Sequence, residues 1–140
     1  MRQTALVAAI LAVMLTSISC KNQNVKKEIG QNLNSTDVNV YYFHFTRRCA
    51  TCLAVEENAR KAVETLYGIE VKTGEYSFTS INLDEAGSKE IAGKLGIGGQ
   101  TLLVVRGDKK IDITDKGFLN AHDLEKMKEE IKSAVDKVIF

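Results

Sequence analysis

The stretch "YYFHFTRRCATCLAVE", residues 41–56, decides the fold, because an aromatic, apolar run gives way within a few residues to a helical pattern. Cys49 and Cys52 lie where the pattern changes, with two residues between them. Pairs with this spacing occur in redox centres, in zinc sites and as short structural disulfides. The spacing alone leaves these three interpretations open, so the rest of the chain has to choose between them.

Predicted secondary-structure elements flank the two cysteines on both sides. "VNVYYFHF", residues 38–45, is β-branched and aromatic with little polar interruption, which is typical of a central buried strand. From Cys52 onward, apolar residues recur at helical spacing, and Gly68 is a suitable C-terminal stop. The apolar positions of this predicted helix are Val55, Ala59, Ala62, Val63 and Leu66.

The remaining sequence predicts further strands and helices in alternation. In order, these are a strand over 75–83, a helix over 85–95, a strand over 101–105 and a hairpin partner over 110–113. A final helix follows Asn120, which is a good N-cap, and it carries one apolar stripe. The predicted order of elements is therefore β-α-β-α-β-β-α.

This order, with a CxxC motif between the first strand and the first helix, resembles the thioredoxin core. The segment "GKLGIGGQTLLVV", residues 93–105, stands where thioredoxins have a Gly-Ile-x-Gly turn into a Thr-Leu strand. The resemblance covers roughly residues 38–138. It implies an α/β, thioredoxin-like fold, a three-layer sandwich with a mixed central sheet.

Residues 41–56 also resemble a narrower group, the exported thioredoxin-like lipoproteins of the ArsF type, often described as nitroreductase subunits. The recurring signature of that group is an aromatic run, a His and RCxTC, which matches His44 and residues 48–52 here. The resemblance implies an association with arsenic resistance or nitroaromatic reduction, without fixing a substrate. The sequence has no flavin fingerprint, so the cofactor of any nitroreductase activity belongs to another chain.

Several positions depart from ordinary thioredoxins. The interior of the CxxC motif is Ala50-Thr51 in place of Gly-Pro, no Trp precedes it, and Phe43 falls where many thioredoxins bury an Asp. Gln100 stands where thioredoxins place a cis-proline beside the disulfide, and the chain contains no proline. Because a cis bond without proline costs about 3–4 kcal/mol, we expect a trans bond before Gln100 and an altered substrate groove.

The helix start predicts different roles for the two cysteines. Unpaired N–H groups and the positive end of the helix dipole favour a thiolate at Cys49, and Arg47 and Arg48 add positive charge nearby. We therefore predict that Cys49 is the exposed nucleophile, with Arg48 assisting its activation. Cys52, one turn further along the apolar stripe, is predicted to be the buried resolving thiol, with Gln100 beside the redox disulfide.

The alternatives to redox chemistry have less support. A zinc site needs about four ligands, and only His44 and His122 supplement the cysteine pair, so neither a metal nor another cofactor is predicted. A disulfide closing so short a loop removes little unfolded-state entropy, which disfavours a purely structural role. A dithiol that binds arsenic(III) or a soft metal, and a non-catalytic accessory subunit of a reductase, both stay open. Four aromatic residues and one histidine are interpreted as packed strand residues: Tyr41, Tyr42, Phe43, Phe45 and His44.

The first 19 residues have the order of an export signal. Arg2 precedes an apolar run over 5–15, small and polar residues follow, and Cys20 comes next. This arrangement resembles a bacterial lipoprotein signal. The resemblance implies that residues 1–19 are removed and that Cys20 is acylated, with ordinary secretion as the alternative.

Residues 20–37 are then a polar, lipid-anchored tether, and residues 38–140 form the thioredoxin-like domain. The predicted location is the membrane of the bacterial cell envelope, facing the periplasm or the surface, where a disulfide can form and persist. Without residues 1–19 the chain carries 18 basic and 18 acidic side chains, which gives no footprint for nucleic acid. The sequence thus predicts a monomeric, exported thiol-disulfide oxidoreductase or electron-transfer protein. Its predicted partner is a protein bearing a thiol or disulfide, or a reductase subunit.

Overall fold

The computed structural model describes residues 36–140, which include the whole of the predicted thioredoxin-like domain. The predicted signal peptide, Cys20 and nearly all of the predicted tether lie outside the described residues. Within residues 36–140, no helix is both long enough and apolar enough to cross a bilayer.

A four-stranded mixed sheet forms the centre of the fold. Strand β1 (Val38–His44) pairs in parallel with β2 (Tyr76–Asn82) and antiparallel with β3 (Thr101–Arg106), and β4 (Lys109–Asp112) pairs antiparallel with β3. The spatial order is β2-β1-β3-β4. All seven residues of β1 are buried, because β1 has a strand on each side and helices over both faces. The predicted central strand and the mixed sheet are confirmed.

Five helices accompany the sheet in the described part of the chain: α1 (Ala50–Leu66), α2 (Gly68–Thr73), α3 (Ser88–Leu95), α4 (Thr114–Leu119) and α5 (Leu124–Ile139). Helices α1 and α5 pack together over one face of the sheet, while the apolar side of α3 covers the other. The molecule is therefore the three-layer α/β sandwich that the sequence predicts.

The alternation of side chains along β1 divides the interior into two cores. Val38, Val40 and Tyr42 enter the larger core, beneath α1 and α5. Tyr41 and Phe43 enter the smaller core, beneath α3. Each fully buried side chain of this size contributes about 1.5–3 kcal/mol from removal of apolar surface from water. The strand that leads into the CxxC motif is thus fixed from both faces.

The structure corrects the predicted ends of two helices. Gly68 does not begin a loop: α1 ends at Tyr67, and Gly68 begins the one-and-a-half-turn helix α2, which stops at Gly74 with φ 85°. Asn120 does not cap the last helix, because it ends the unpredicted helix α4 instead. Asp123 is the N-cap of α5, and its carboxylate accepts a hydrogen bond from the Lys126 N–H at 3.1 Å. Helices of six residues are too short to show a periodicity in sequence.

Candidate functional site

The CxxC motif lies where β1 hands over to α1, and its two cysteines are joined by a disulfide. Cys49 is the N-cap of α1, and its sulfur accepts a hydrogen bond from the Cys52 N–H at 3.2 Å. Cys49 is exposed, whereas Cys52 retains only 8% of its accessible surface. The positions agree with an accessible first sulfur at a helix N-terminus and a second sulfur beneath it.

The charges near Cys49 are arranged more tightly than the sequence predicts. The first turn of α1 contains no acidic residue that would oppose a thiolate. Arg48 forms an ion pair with Glu56, and the other oxygen of Glu56 lies 3.3 Å from a nitrogen of Arg60. Arg47 is exposed. The Arg48 guanidinium is therefore held beside the motif by Glu56, while part of its charge is compensated.

The loop that precedes Cys49 is tied to the end of β2. The Thr46 N–H donates to Asp84 Oδ2 at 2.7 Å, and the Asn82 amide donates to the Thr46 hydroxyl at 3.0 Å. The backbone hydrogen bond from Thr46 is the main cause that lowers the pKa of Asp84 below its usual value. These bonds fix the path of the chain between β1 and the disulfide.

Two polar side chains lie against the buried cysteine. The Tyr42 hydroxyl donates to the backbone carbonyl of Cys52 at 3.0 Å and accepts a hydrogen bond from Gln100 Nε2. Gln100 Oε1 lies 4.0 Å from Cys52 Sγ. Burial raises the pKa of the Tyr42 phenol, against smaller opposing effects of Gln100 and Arg48. We call these two residues the Tyr42–Gln100 pair.

The Tyr42–Gln100 pair changes the interpretation of β1. Phe43 packs in the smaller core under α3, on the face of the sheet away from α1. Its neighbour Tyr42 is the residue of β1 whose side chain reaches Cys52. The sequence interpretation treated Tyr42 as core packing only. The available signal was the alternation along β1, which places Tyr42 opposite to Phe43 and on the same face as Val40.

Gln100 reaches the disulfide from the turn before β3. It is half-buried, and the next residue, Thr101, opens β3 with its hydroxyl donating to the Gly99 carbonyl at 3.0 Å. No peptide bond among residues 36–140 is cis, in agreement with the trans bond expected before Gln100. The structure thus places the predicted site residues Cys49, Cys52, Arg48 and Gln100 in one neighbourhood.

The two histidines occupy different positions. His44 is buried at the end of β1, with its ring 5.8 Å from that of Tyr42 and its Nδ1 2.9 Å from the Phe45 carbonyl oxygen. His122 is exposed in the connection between α4 and α5. Within residues 36–140, no group of three or more His, Cys, Asp or Glu side chains is arranged to hold a metal ion.

Comparison with solved structures identifies the fold. A zinc-bound form of human ERp44 matches 80% of this chain with a TM-score of 0.54 and 14% sequence identity, and the chain spans 29% of the length of ERp44. Oxidised thioredoxin O2 from Arabidopsis thaliana matches 82% of this chain and 90% of its own, with 18% identity and a TM-score of 0.48. The chain therefore has a thioredoxin-like fold with a CxxC pair.

Comparison of sequences adds no closer assignment. No family model matches the chain, and no curated protein matches it. The relationship to the ArsF-type group accordingly stays a prediction from the motif in residues 41–56.

Proposed function

We propose that this chain is an exported, membrane-tethered thiol-disulfide oxidoreductase or electron-transfer protein that works through the Cys49/Cys52 couple. The observation that carries the proposal is the contrast between the two sulfurs. One is exposed at a helix N-terminus and accepts a backbone hydrogen bond, and the other is buried beneath it. This contrast gives a nucleophile that a partner can reach and a resolving thiol that the partner cannot.

The chemistry follows from that arrangement. In the reduced protein the Cys49 thiolate attacks a partner disulfide, one partner sulfur leaves as a thiolate, and a mixed disulfide forms. Cys52 then loses its proton to water and attacks Cys49 Sγ, which breaks the mixed disulfide and releases the second partner thiolate. Two electrons pass from the dithiol to the partner disulfide, and the reverse sequence oxidises a partner dithiol.

The surface beside the disulfide supports a protein partner. Phe45 and Leu53, which adjoin the CxxC segment in sequence, keep 43% and 50% of their surface exposed. Exposed apolar side chains next to the exposed cationic Arg47 suit contact with another protein. A reductase subunit, as the ArsF-type resemblance implies, is one such partner, and any cofactor would belong to it.

Trapping of mixed disulfides tests the two cysteine roles. In a full chain carrying Cys20→Ser, so that the CxxC motif supplies the only thiols, Cys52→Ala should leave Cys49 able to form long-lived mixed disulfides. Cys49→Ala is the matched control, and its remaining buried thiol should react at least about tenfold more slowly with the same alkylating reagent. Mass spectrometry of the trapped species measures both.

Two outcomes would overturn the proposal. If the Cys49→Ala chain alkylates faster than the Cys52→Ala chain, the roles are reversed. If the reduced wild-type pair binds arsenic(III) or Cu(I) tightly and stoichiometrically but exchanges with no disulfide, the protein is a dithiol-binding protein instead.

A further inference from the structure

The structure assigns a role to the Tyr42–Gln100 pair that goes beyond the two cysteines. We propose that Tyr42 is a positioning residue that fixes the orientation of the Gln100 amide, so that Gln100 holds Cys52 as a neutral thiol and prolongs the mixed disulfide. The inference deepens the proposed function and rests on it. It concerns the second step alone, in which Cys52 attacks Cys49.

The orientation of the amide follows from the hydrogen bonds around it. The Tyr42 O–H is directed to the Cys52 carbonyl at 3.0 Å, so the phenol oxygen is left to accept from Gln100 Nε2. The other end of the amide, Oε1, then faces Cys52 Sγ at 4.0 Å. A carbonyl oxygen can accept a hydrogen bond from a thiol but repels a thiolate.

In the disulfide Cys52 has no proton, so this contact becomes a hydrogen bond only after reduction. Once Cys52 is a thiol, its S–H can donate to Gln100 Oε1. Cys52 is also largely buried, and burial away from water disfavours a thiolate. Both effects keep the proton on Cys52 and slow the attack that ends the mixed disulfide.

The charged and titratable groups near Cys52 leave this role to the pair. From β1, the Tyr42 phenol faces Cys52, and its pKa is raised by burial, so it stays a neutral donor. The His44 ring contacts that of Tyr42 at 5.8 Å, while its Nδ1 is engaged with the Phe45 carbonyl. Arg48 is paired with Glu56, and from the β3 side the contacting group is the uncharged amide of Gln100.

The test separates the two chemical steps with a coloured disulfide reagent, dithiobisnitrobenzoate. The reduced full chain carrying Cys20→Ser releases one coloured thiolate when Cys49 attacks the reagent. It releases a second when Cys52 displaces the mixed disulfide. Stopped-flow absorbance resolves the two phases, and repeating the experiment over a range of pH gives the midpoint at which the second phase becomes fast.

Tyr42→Phe removes the hydroxyl and keeps the ring. Without the hydroxyl the Gln100 amide can turn its N–H toward a Cys52 thiolate, so the second phase near neutral pH should become about tenfold faster. Its midpoint should fall by about one pH unit, while the first phase changes by less than about twofold. Tyr41→Phe is the matched control, because the same atom is lost from the neighbouring tyrosine on the opposite face of the sheet.

A double-mutant cycle shows whether Tyr42 acts through Gln100. In a Gln100→Met background, Tyr42→Phe should alter the second phase by less than about twofold. An undiminished effect in that background would mean that the hydroxyl acts through the Cys52 carbonyl, and the proposal would be wrong. An unchanged or higher midpoint in Tyr42→Phe alone would also overturn it. Absence of the second thiolate from the wild-type chain would instead overturn the proposed function itself.

Discussion

The sulfur atoms of Cys49 and Cys52 lie in different surroundings although three positions separate them along the chain. Cys49 gains its accessibility and its backbone hydrogen bond from being the N-cap of α1. Cys52 is packed against Tyr42 and Gln100, whose contacts reach it from β1 and from the turn before β3. The asymmetry of the pair is therefore a tertiary property, which the CxxC spacing alone does not determine.

The loop between β1 and Cys49 should weaken in acid. The pKa of Asp84 is lowered because Asp84 accepts hydrogen bonds from Thr46, so its stabilising effect is complete above its usual value of 3.8. That effect is lost as the pH falls through the lower value of the folded state. We expect the free energy of unfolding of the wild-type chain to fall more steeply below pH 3.8 than that of Asp84→Ala.

Denaturant unfolding at a series of pH values measures this difference. Asp108→Ala is the matched control, because Asp108 is an exposed carboxylate in the turn between β3 and β4. An acid dependence of Asp84→Ala equal to that of the wild-type chain would contradict the assigned role of the Thr46 contact.

At the scale of elements, the short helix α4 rests directly on β3. Its buried residue Gly117 lies so close to Leu102 that an added Cβ would stand 2.7 Å from Leu102 Cδ2. Leu102 is itself fully buried, so it has little room to move aside. Glycine at this position therefore permits a close approach of helix and strand.

Gly117→Ala should destabilise the protein by about 1–3 kcal/mol, the usual range for overpacking. This loss outweighs the about 0.5–1 kcal/mol that alanine gains over glycine inside a helix. Gly93→Ala in α3 is the matched control, since nothing lies within 4 Å of its added Cβ, and it should leave stability unchanged or raise it by up to about 1 kcal/mol. Equal effects of the two substitutions in denaturant unfolding would show that the contact with Leu102 is unimportant.

The elements differ in how far the sequence could predict them. Strand β1 and helix α1 were predictable because each carries a long, regular apolar pattern, and Gly96 ends α3 as expected, with φ 74°. Helices α2 and α4 were missed because six residues show no period. Asn120 and Asp123 are both good N-cap residues, so only the packing of α4 decides between them. The Tyr42–Gln100 contact joins residues 58 positions apart, and no local pattern encodes it.

At the scale of the whole molecule, the thioredoxin-like domain and the first residues of the chain make separate contributions to the proposed function. The domain supplies the redox couple. The predicted acylation of Cys20 would hold that couple at a membrane, where it meets partners of the same compartment. Because polybasic attraction is unsupported by the neutral charge, acyl chains would carry the attachment.

Cys20→Ser tests the anchor in the whole protein. The wild-type chain, expressed in bacteria with its first 19 residues, should partition into the detergent phase and gain the mass of acyl chains. Cys20→Ser should abolish both. Recovery of an unmodified, freely soluble wild-type protein beginning at residue 20 would indicate plain secretion.

The reduction potential of the Cys49/Cys52 couple tests the central claim most directly. The full chain carrying Cys20→Ser is equilibrated in thiol-disulfide buffers of graded potential and then alkylated, and mass spectrometry gives the fraction of free thiols. Stabilisation of the reduced form by the helix N-terminus and by Gln100 predicts a reversible two-electron transition with a midpoint above about −300 mV, in the range of exchanging couples. A midpoint below about −300 mV, or a disulfide that does not equilibrate with the buffers, would identify a structural crosslink and contradict the account.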